Sequence, residues 1–411
     1  MKRFLPVALV CLLGITACSQ VVDKGEREEP TLSRELTANE KQIVEADRSF
    51  SYDIFRRTVA QDSTNNVFIS PLSVSMALGM TLNGSAGETR SAMKDALHLQ
   101  DMDMSAINES YSSLIELLIS ADSKVKMKLA NSIWYKKGFA VEESFKEKCK
   151  KFFNARIDSL NFSDPSAAHT INEWVSNNTE GLIDELIKGS IPPEVVMYLI
   201  NAIYFQGDWQ YQFDPEETDE MEFSTGNGSV QADMMHQKNS LNVYVSDEVR
   251  VLDLPYGNNL FTMTLMMPGS GETSINDFVQ QKLTAENVDY WISQMSKDTT
   301  KIAIPKFELE YGISMNGVLK SMGMEEAFNE QSANFSNINP ESRLFISNVK
   351  HKSFVKVDEE GTEAAAVTSV EMGITSTGPI PLTFDRPFIF MIRERTSNTI
   401  LFMGKVKNPT K

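Results

Sequence analysis

Ser91 and Lys94 are the residues in this 411-residue sequence that most invite a catalytic reading. Three positions apart, they would share one helical face, where a lysine amine can activate a serine hydroxyl for acyl transfer. Tyr256-Gly257-Asn258 could serve as the second motif of such a site. Its third element fails, because no Lys-Ser-Gly or Lys-Thr-Gly follows downstream. In a helix the pair then reads more simply as two solvent-facing neighbours one turn apart. The four histidines, His98, His169, His236 and His351, lack metal-ligand spacing. No Cys-x-x-Cys, His-Glu-x-x-His or phosphate-cradling glycine loop is present, so neither a metal nor a cofactor is expected.

The segment from Asp358 to Pro381 carries another kind of pattern, an alternation of side chains. Every second residue from Thr362 gives Thr362, Ala364, Ala366, Thr368, Val370 and Met372, all small or apolar. The alternate set, Glu363, Ala365, Val367, Ser369, Glu371 and Gly373, holds both charges. A period of two with one buriable face is a strand pattern. Yet the stretch opens on Gly361 and is rich in alanine, a weak strand former. The pattern alone leaves three readings open: a permanent edge strand, a surface loop, or a loop that becomes a strand in a second state.

The elements that would position these residues divide along the chain. Helical periodicity dominates the first half, with Phe50, Ile54, Phe55 and Val59 on one face. Ser70-Pro71 opens a second helix as N-cap and first-turn proline, and Asn83-Gly84 ends it. A further helix is expected over Ile107 to Ile119. Extended stretches follow at Val249 to Leu254, Phe261 to Met267, Lys301 to Leu309, Phe345 to Val357 and Phe388 to Ile392. Helices first and strands later give an α+β class. From Asn39 onward there is no linker or internal repeat, so residues 39–411 read as one domain.

The N-terminus reads as an export signal over residues 1–17, with Lys2 and Arg3 before an apolar run too short to span a bilayer. Ile15-Thr16-Ala17-Cys18 is similar to a bacterial lipobox, which implies acylation of Cys18 and an exported, membrane-anchored lipoprotein of the cell envelope. Residues 18–38 are then its polar tether. With Cys11 removed and Cys18 acylated, Cys149 is left without a disulfide partner. A net charge of −17, with no basic cluster interleaved with aromatics, excludes nucleic acid and argues against heparin-type polyanions as partners.

Glu359-Glu-Gly-Thr-Glu-Ala-Ala-Ala366 resembles the hinge of the serpins, the serine protease inhibitor family, and Leu382-Thr-Phe-Asp-Arg-Pro-Phe-Ile-Phe-Met-Ile392 resembles their C-terminal signature. Asn66-Val-Phe-Ile-Ser-Pro-Leu-Ser73, Asn201-Ala-Ile-Tyr-Phe-Gln-Gly-Asp-Trp209, Leu254-Pro-Tyr256, Pro305-Lys-Phe307, Asn334-Phe-Ser336 and Phe402-Met-Gly-Lys-Val406 appear in family order. The resemblance implies helices around a large central mixed β-sheet, two smaller sheets and an exposed reactive loop at about residues 359–384. It also implies a suicide inhibitor, expected as a monomer, that supplies no catalytic group. A target protease cuts the loop, which inserts into the central sheet while the enzyme is still bound as an acyl intermediate. Counting about 1–2 kcal/mol per larger apolar side chain and about 1 per hydrogen bond, insertion could release on the order of 10 kcal/mol.

By the same resemblance, Glu359, Gly361, Thr362, Ala364, Ala365 and Ala366 form the hinge, where a bulky or charged side chain would slow insertion. Ser70, Ser73, Asn201 and His351 match the polar shutter that the central strands must part. Trp209 matches the aromatic at which insertion begins, and Lys306 pairs with Glu359. Two ways of counting place the cut after Thr375 or after Ser376. Either is small and uncharged, and no basic residue lies between Gly361 and Asp385. An elastase-like serine protease fits best, with papain-like cysteine proteases reading Ile374 and a secondary cut at Met372. Alternatives are a non-inhibitory binding protein of the same fold and, remotely, a penicillin-recognising hydrolase using Ser91 and Lys94.

Overall fold

In the computed structural model, which describes residues 31–269, 273–362 and 381–411, helix α1 spans Ala38–Gln61. Thr37 and Glu40 close a reciprocal capping box at its start. Phe50, Ile54, Phe55 and Val59 are fully buried, as their spacing predicts. Strand β1 (Val67–Ile69) runs into α2 (Pro71–Gly84), where Ser70 accepts from Ser73 N and Pro71 occupies the first turn. Gly84 does end α2, but for space and not for backbone twist: a Cβ there would lie 2.3 Å from the Ile338 side chain. Helices α3 (Gly87–Ala96), α4 (Met104–Ile119), α5 (Glu143–Phe153) and α6 (Ser166–Asn178) follow. α4 starts ahead of Ile107 because Asp103 caps it, accepting from Ala106 N.

Asp47 of α1 is a buried ionisable group packed against α4. Its Oδ1 accepts from the Tyr111 hydroxyl at 2.9 Å, and its Oδ2 is buried without a partner among the described residues. Burial pushes the carboxyl up to about 7.

The first half also supplies three strands that its helical pattern concealed: β2 (Val125–Lys136), β3 (Arg156–Leu160) and β4 (Met197–Asp208). The remaining strands are β5 (Asp219–Ser224), β6 (Ser229–Val245), β7 (Val249–Pro255), β8 (Phe261–Pro268), β9 (Ser296–Pro305) and β10 (Phe307–Ser314). β11 (Lys350–Val357), β12 (Gly361–Thr362), β13 (Leu382–Thr383), β14 (Phe388–Glu394) and β15 (Ile400–Val406) complete them. Among the described residues, one sheet has the order β10-β11-β12-β4-β2-β3, mixed because β3 runs parallel to β2. A nine-stranded sheet runs β1-β15-β14-β8-β7-β6-β9-β13, with β5 also on β6. The two expected smaller sheets are joined here, because β6 is long enough to pair with β5, β7 and β9.

Two expected strands change shape. Lys301 to Leu309 is split at Lys306: β9 ends in the nine-stranded sheet and β10 begins in the other. Phe345 to Val357 is a strand only from Lys350, since the Val349 N–H turns to the Asn316 side chain. The deepest core lies around β8, β14 and β15, buried at every position. There Phe68 stacks on Phe390 and Phe402 with centroids 5.6 and 5.3 Å apart.

Candidate functional site

The end of β4 and the short β12 meet at a buried aromatic corner. Trp209 donates its backbone N–H to Glu360 O and its indole N–H to Asp358 O, both at 2.9 Å. The Phe213 N–H donates to Glu359 O, so consecutive backbone carbonyls of the hinge are all held. Trp209 lies flat on Tyr256, centroids 4.5 Å apart and planes 15° from parallel. The Tyr256 hydroxyl lies 2.6 Å from Thr362 Oγ1. Gly361 is required by close approach: a Cβ would sit 2.2 Å from Gly207 O. At the rim, the Lys306 ammonium lies 2.9 Å from the Glu359 carboxylate, which also accepts from Thr218 at 2.8 Å. Burial alone would push the Glu359 carboxyl up, and Lys306 and Thr218 outweigh it to bring it below the usual range.

A polar cluster crosses the middle of the same sheet. The Ser70 N–H donates to His351 Nε2 at 3.1 Å, and its hydroxyl donates to Leu401 O at 2.8 Å. His351 is therefore neutral with its proton on Nδ1, and burial holds its pKa down at about 4. Ser73 Oγ reaches the Asn201 carbonyl at 3.5 Å. The Asn131 side chain donates to Phe153 O, which leaves its Oδ1 to accept from Asn201 Nδ2 at 2.8 Å. That chain of bonds fixes the orientation of Asn201 and leaves its buried Oδ1 without a partner among the described residues.

Between β4 and β11 no ladder forms among the described residues; β12 alone lies between them, pairing with Val357 on one side and with Gly207 and Asp208 on the other. Below β12 the gap opens into a cavity of about 480 Å³, lined by Ser73, Leu78, Ile200, Asn201, Val349 and His351 among others. A narrow continuation past Ile203, Phe205 and Ser353 reaches up to Thr362. Among the described residues the facing edges of β4 and β11 below β12 have no strand partner on this side, and such an edge is a template for an added strand.

The structure brings some of the residues named from the sequence together and leaves others outside the described residues. Glu359, Gly361, Thr362, Trp209 and Lys306 come together at the hinge end, and Ser70, Ser73, Asn201 and His351 at the middle. Cys18, Ala364, Ala365, Ala366, Met372, Ile374, Thr375 and Ser376 lie outside the described residues. The hydrolase constellation is not assembled. Ser91 is exposed on α3, and Lys94 is not free but half-buried, donating to Gln100 O and Met102 O to close the turn after the helix. Tyr256 belongs to the hinge corner, and Asn258 is bonded to Asp122.

The cluster also contains residues the sequence did not single out. Asn131 is a buried polar residue inside the apolar run Leu129 to Trp134, a pattern that calls for a partner. Thr218 sits among exposed acids, and nothing local marks its bond to Glu359.

A family model described as serpin (serine protease inhibitor) matches residues 45–409. Human serpin B8 is 34% identical over 376 residues, covering 89% of this chain and 99% of the relative. The leukocyte elastase inhibitor of Xenopus laevis is 33% identical over 372 residues, covering 88% of this chain and 97% of the relative. The crystal structure of the thermophilic serpin tengpin in its native state superposes with a TM-score of 0.82 at 31% identity, covering 92% of this chain and 96% of that one.

Proposed function

This chain belongs to the serpin family, and from that premise we propose that it is a covalent, single-use inhibitor of proteases that traps its target by loop insertion. The observation that carries this reading is that, among the described residues, β4 and β11 form no ladder below β12 and are bridged at one end by the hinge residues Gly361 and Thr362. Carried on in the antiparallel register that β12 begins, an inserting chain would bring Ala364 opposite Phe205 and Val355, and Thr368 opposite Asn201 and His351. A threonine hydroxyl there supplies the donor that Asn201 Oδ1 lacks. Thr362 is buried, which supports the reading that the small and apolar set of the alternation would face the interior on insertion.

The bait is Thr375 or Ser376, beside Ile374, and its small uncharged character favours elastase-like serine proteases. Similarity to a leukocyte elastase inhibitor supports the same class of target. Papain-like cysteine proteases that read Ile374, and a second cut at Met372, are subsidiary to it. Anchoring through acylated Cys18 would place the inhibitor on the cell envelope, and palmitate labelling lost in Cys18→Ala checks that placement.

Mixing the purified protein with pancreatic elastase and separating the products in SDS should give a covalent complex near the summed mass. Sequencing the released C-terminal peptide chooses between Thr375 and Ser376. Cleavage without complex would overturn the inhibitory reading, and penicilloyl labelling of Ser91 would replace it.

A further inference from the structure

Tyr256 stands outside the chain segments that open, yet its hydroxyl reaches into the head of the gap. It follows the last residue of β7, in the nine-stranded sheet, while its partner Thr362 is the last described residue of the hinge. Both side chains are buried, and the bond between them is 2.6 Å long. The Tyr256 ring cannot drift, because Trp209 stacks on one side and the edge of Phe205 meets it at 5.2 Å. On the side of β4, a Cβ on Gly207 would come within 3.1 Å of the same ring, so the strand passes as close as a glycine allows. Burial keeps the phenol protonated throughout the ordinary pH range, so it can serve as donor at any working pH.

We propose that Tyr256 is a positioning residue for loop insertion, its hydroxyl pinning Thr362 in the sheet so that the first rung of the added strand exists before the loop is cut. The proposal rests on the insertion mechanism above and adds the residue that sets how promptly insertion begins. Zipping a strand between two others has a costly first step, since ends must be brought together before any pairing rewards them. Here that step is already taken, because Thr362 is paired with both Val357 and Gly207 and Gly361 with Asp208. Removing the hydroxyl leaves Thr362 Oγ1 buried without this partner, and the rung then frays. Only molecules with the rung formed can zip at once, so the insertion rate falls in proportion to that fraction. Hydrolysis of the acyl-enzyme competes with insertion, and slower insertion turns inhibitor into spent substrate.

The test uses Tyr256→Phe, which keeps the ring on Trp209, with Thr362→Val and Thr362→Ser. The excess of inhibitor consumed per mole of elastase inactivated, above the one mole that perfect trapping uses, should rise about three- to tenfold in Tyr256→Phe and in Thr362→Val, the range expected for one lost buried hydrogen bond. Thr362→Ser, which keeps the hydroxyl, should stay near wild type, and the Tyr256→Phe/Thr362→Val double variant should be no worse than either single one. Hydrogen exchange at the Gly361 and Thr362 amides of the uncut protein should quicken in Tyr256→Phe, a readout that does not depend on any protease. An unchanged stoichiometry in Tyr256→Phe, or a Thr362→Ser as poor as Thr362→Val, overturns the proposal. Absence of any covalent complex with the wild type would instead sink the inhibitory reading, leaving the exchange measurement to judge the Tyr256 contact alone.

Discussion

β14 and β15 are paired from Phe388↔Val406 onward and buried at every position, whereas β4 and β11 are bridged among the described residues only by Gly361 and Thr362. The first region is held by stacked rings and close-packed backbone: a Cβ on Gly404 would lie 2.1 Å from Phe390. The second is held by a handful of directional bonds among Ser70, Ser73, Asn131, Asn201 and His351. Dense apolar packing fixes one arrangement and resists any other. Directional polar bonds can be broken and remade with a new partner, provided the new partner satisfies the same atoms. The contrast therefore separates a frame packed to stay fixed from a seam that, under the proposed function, would part.

The largest expected effect tests the frame. Phe390→Ala removes a ring that stacks on Phe68 and should lower stability by about 3–5 kcal/mol, seen as a fall in the urea midpoint. The stoichiometry of inhibition should stay unchanged, and a rise would mean that the two regions are not separate.

Next in size are the effects of two buried ionisable groups, Asp47 and His351. Asp47 is raised from 3.8 to about 7, so its contribution is full below pH 3.8 and is lost as pH rises through 7. His351 is depressed from 6.5 to about 4, so its contribution is present above 6.5 and is lost as pH falls through 4. Over the shared window the two slopes oppose, and each is about 1.4 kcal/mol per pH unit. Wild type should therefore change little from this pair between those limits. Asp47→Asn should lose about 3 kcal/mol on acidification across the window, and His351→Gln a similar amount on going the other way. Urea midpoints measured across the range check both, and an Asp47→Asn curve parallel to wild type would refute the assignment.

The smallest effect belongs to the hinge rim. Lys306 is more than a third exposed, so Glu359→Gln should cost less than about 1 kcal/mol and raise the inhibition stoichiometry by at most about twofold. A larger rise, read on the same SDS gel, would move Glu359 from the rim of the seam to its centre.

The seam's components were legible locally and its assembly was not. Ser70 and Pro71 announce a helix start, and Gly361 followed by small residues announces a hinge, because each acts through its nearest neighbours. β2 and β4 were concealed because Asn131 and Asn201 interrupt their apolar runs, and those polar residues make sense only once paired with each other. Lys306 read as the middle of one strand because nothing in its neighbours shows that Pro305 and Phe307 enter different sheets.

By itself the sequence determined the α+β class, the helix caps and the family, all properties of residue type and short spacing. Only the tertiary structure decided that Trp209 holds Asp358 across 149 positions, that Tyr256 reaches Thr362, and that Asn201 Oδ1 is buried without a partner among the described residues. Those depend on which strands lie side by side, and strand pairing is a long-range choice that no local pattern encodes.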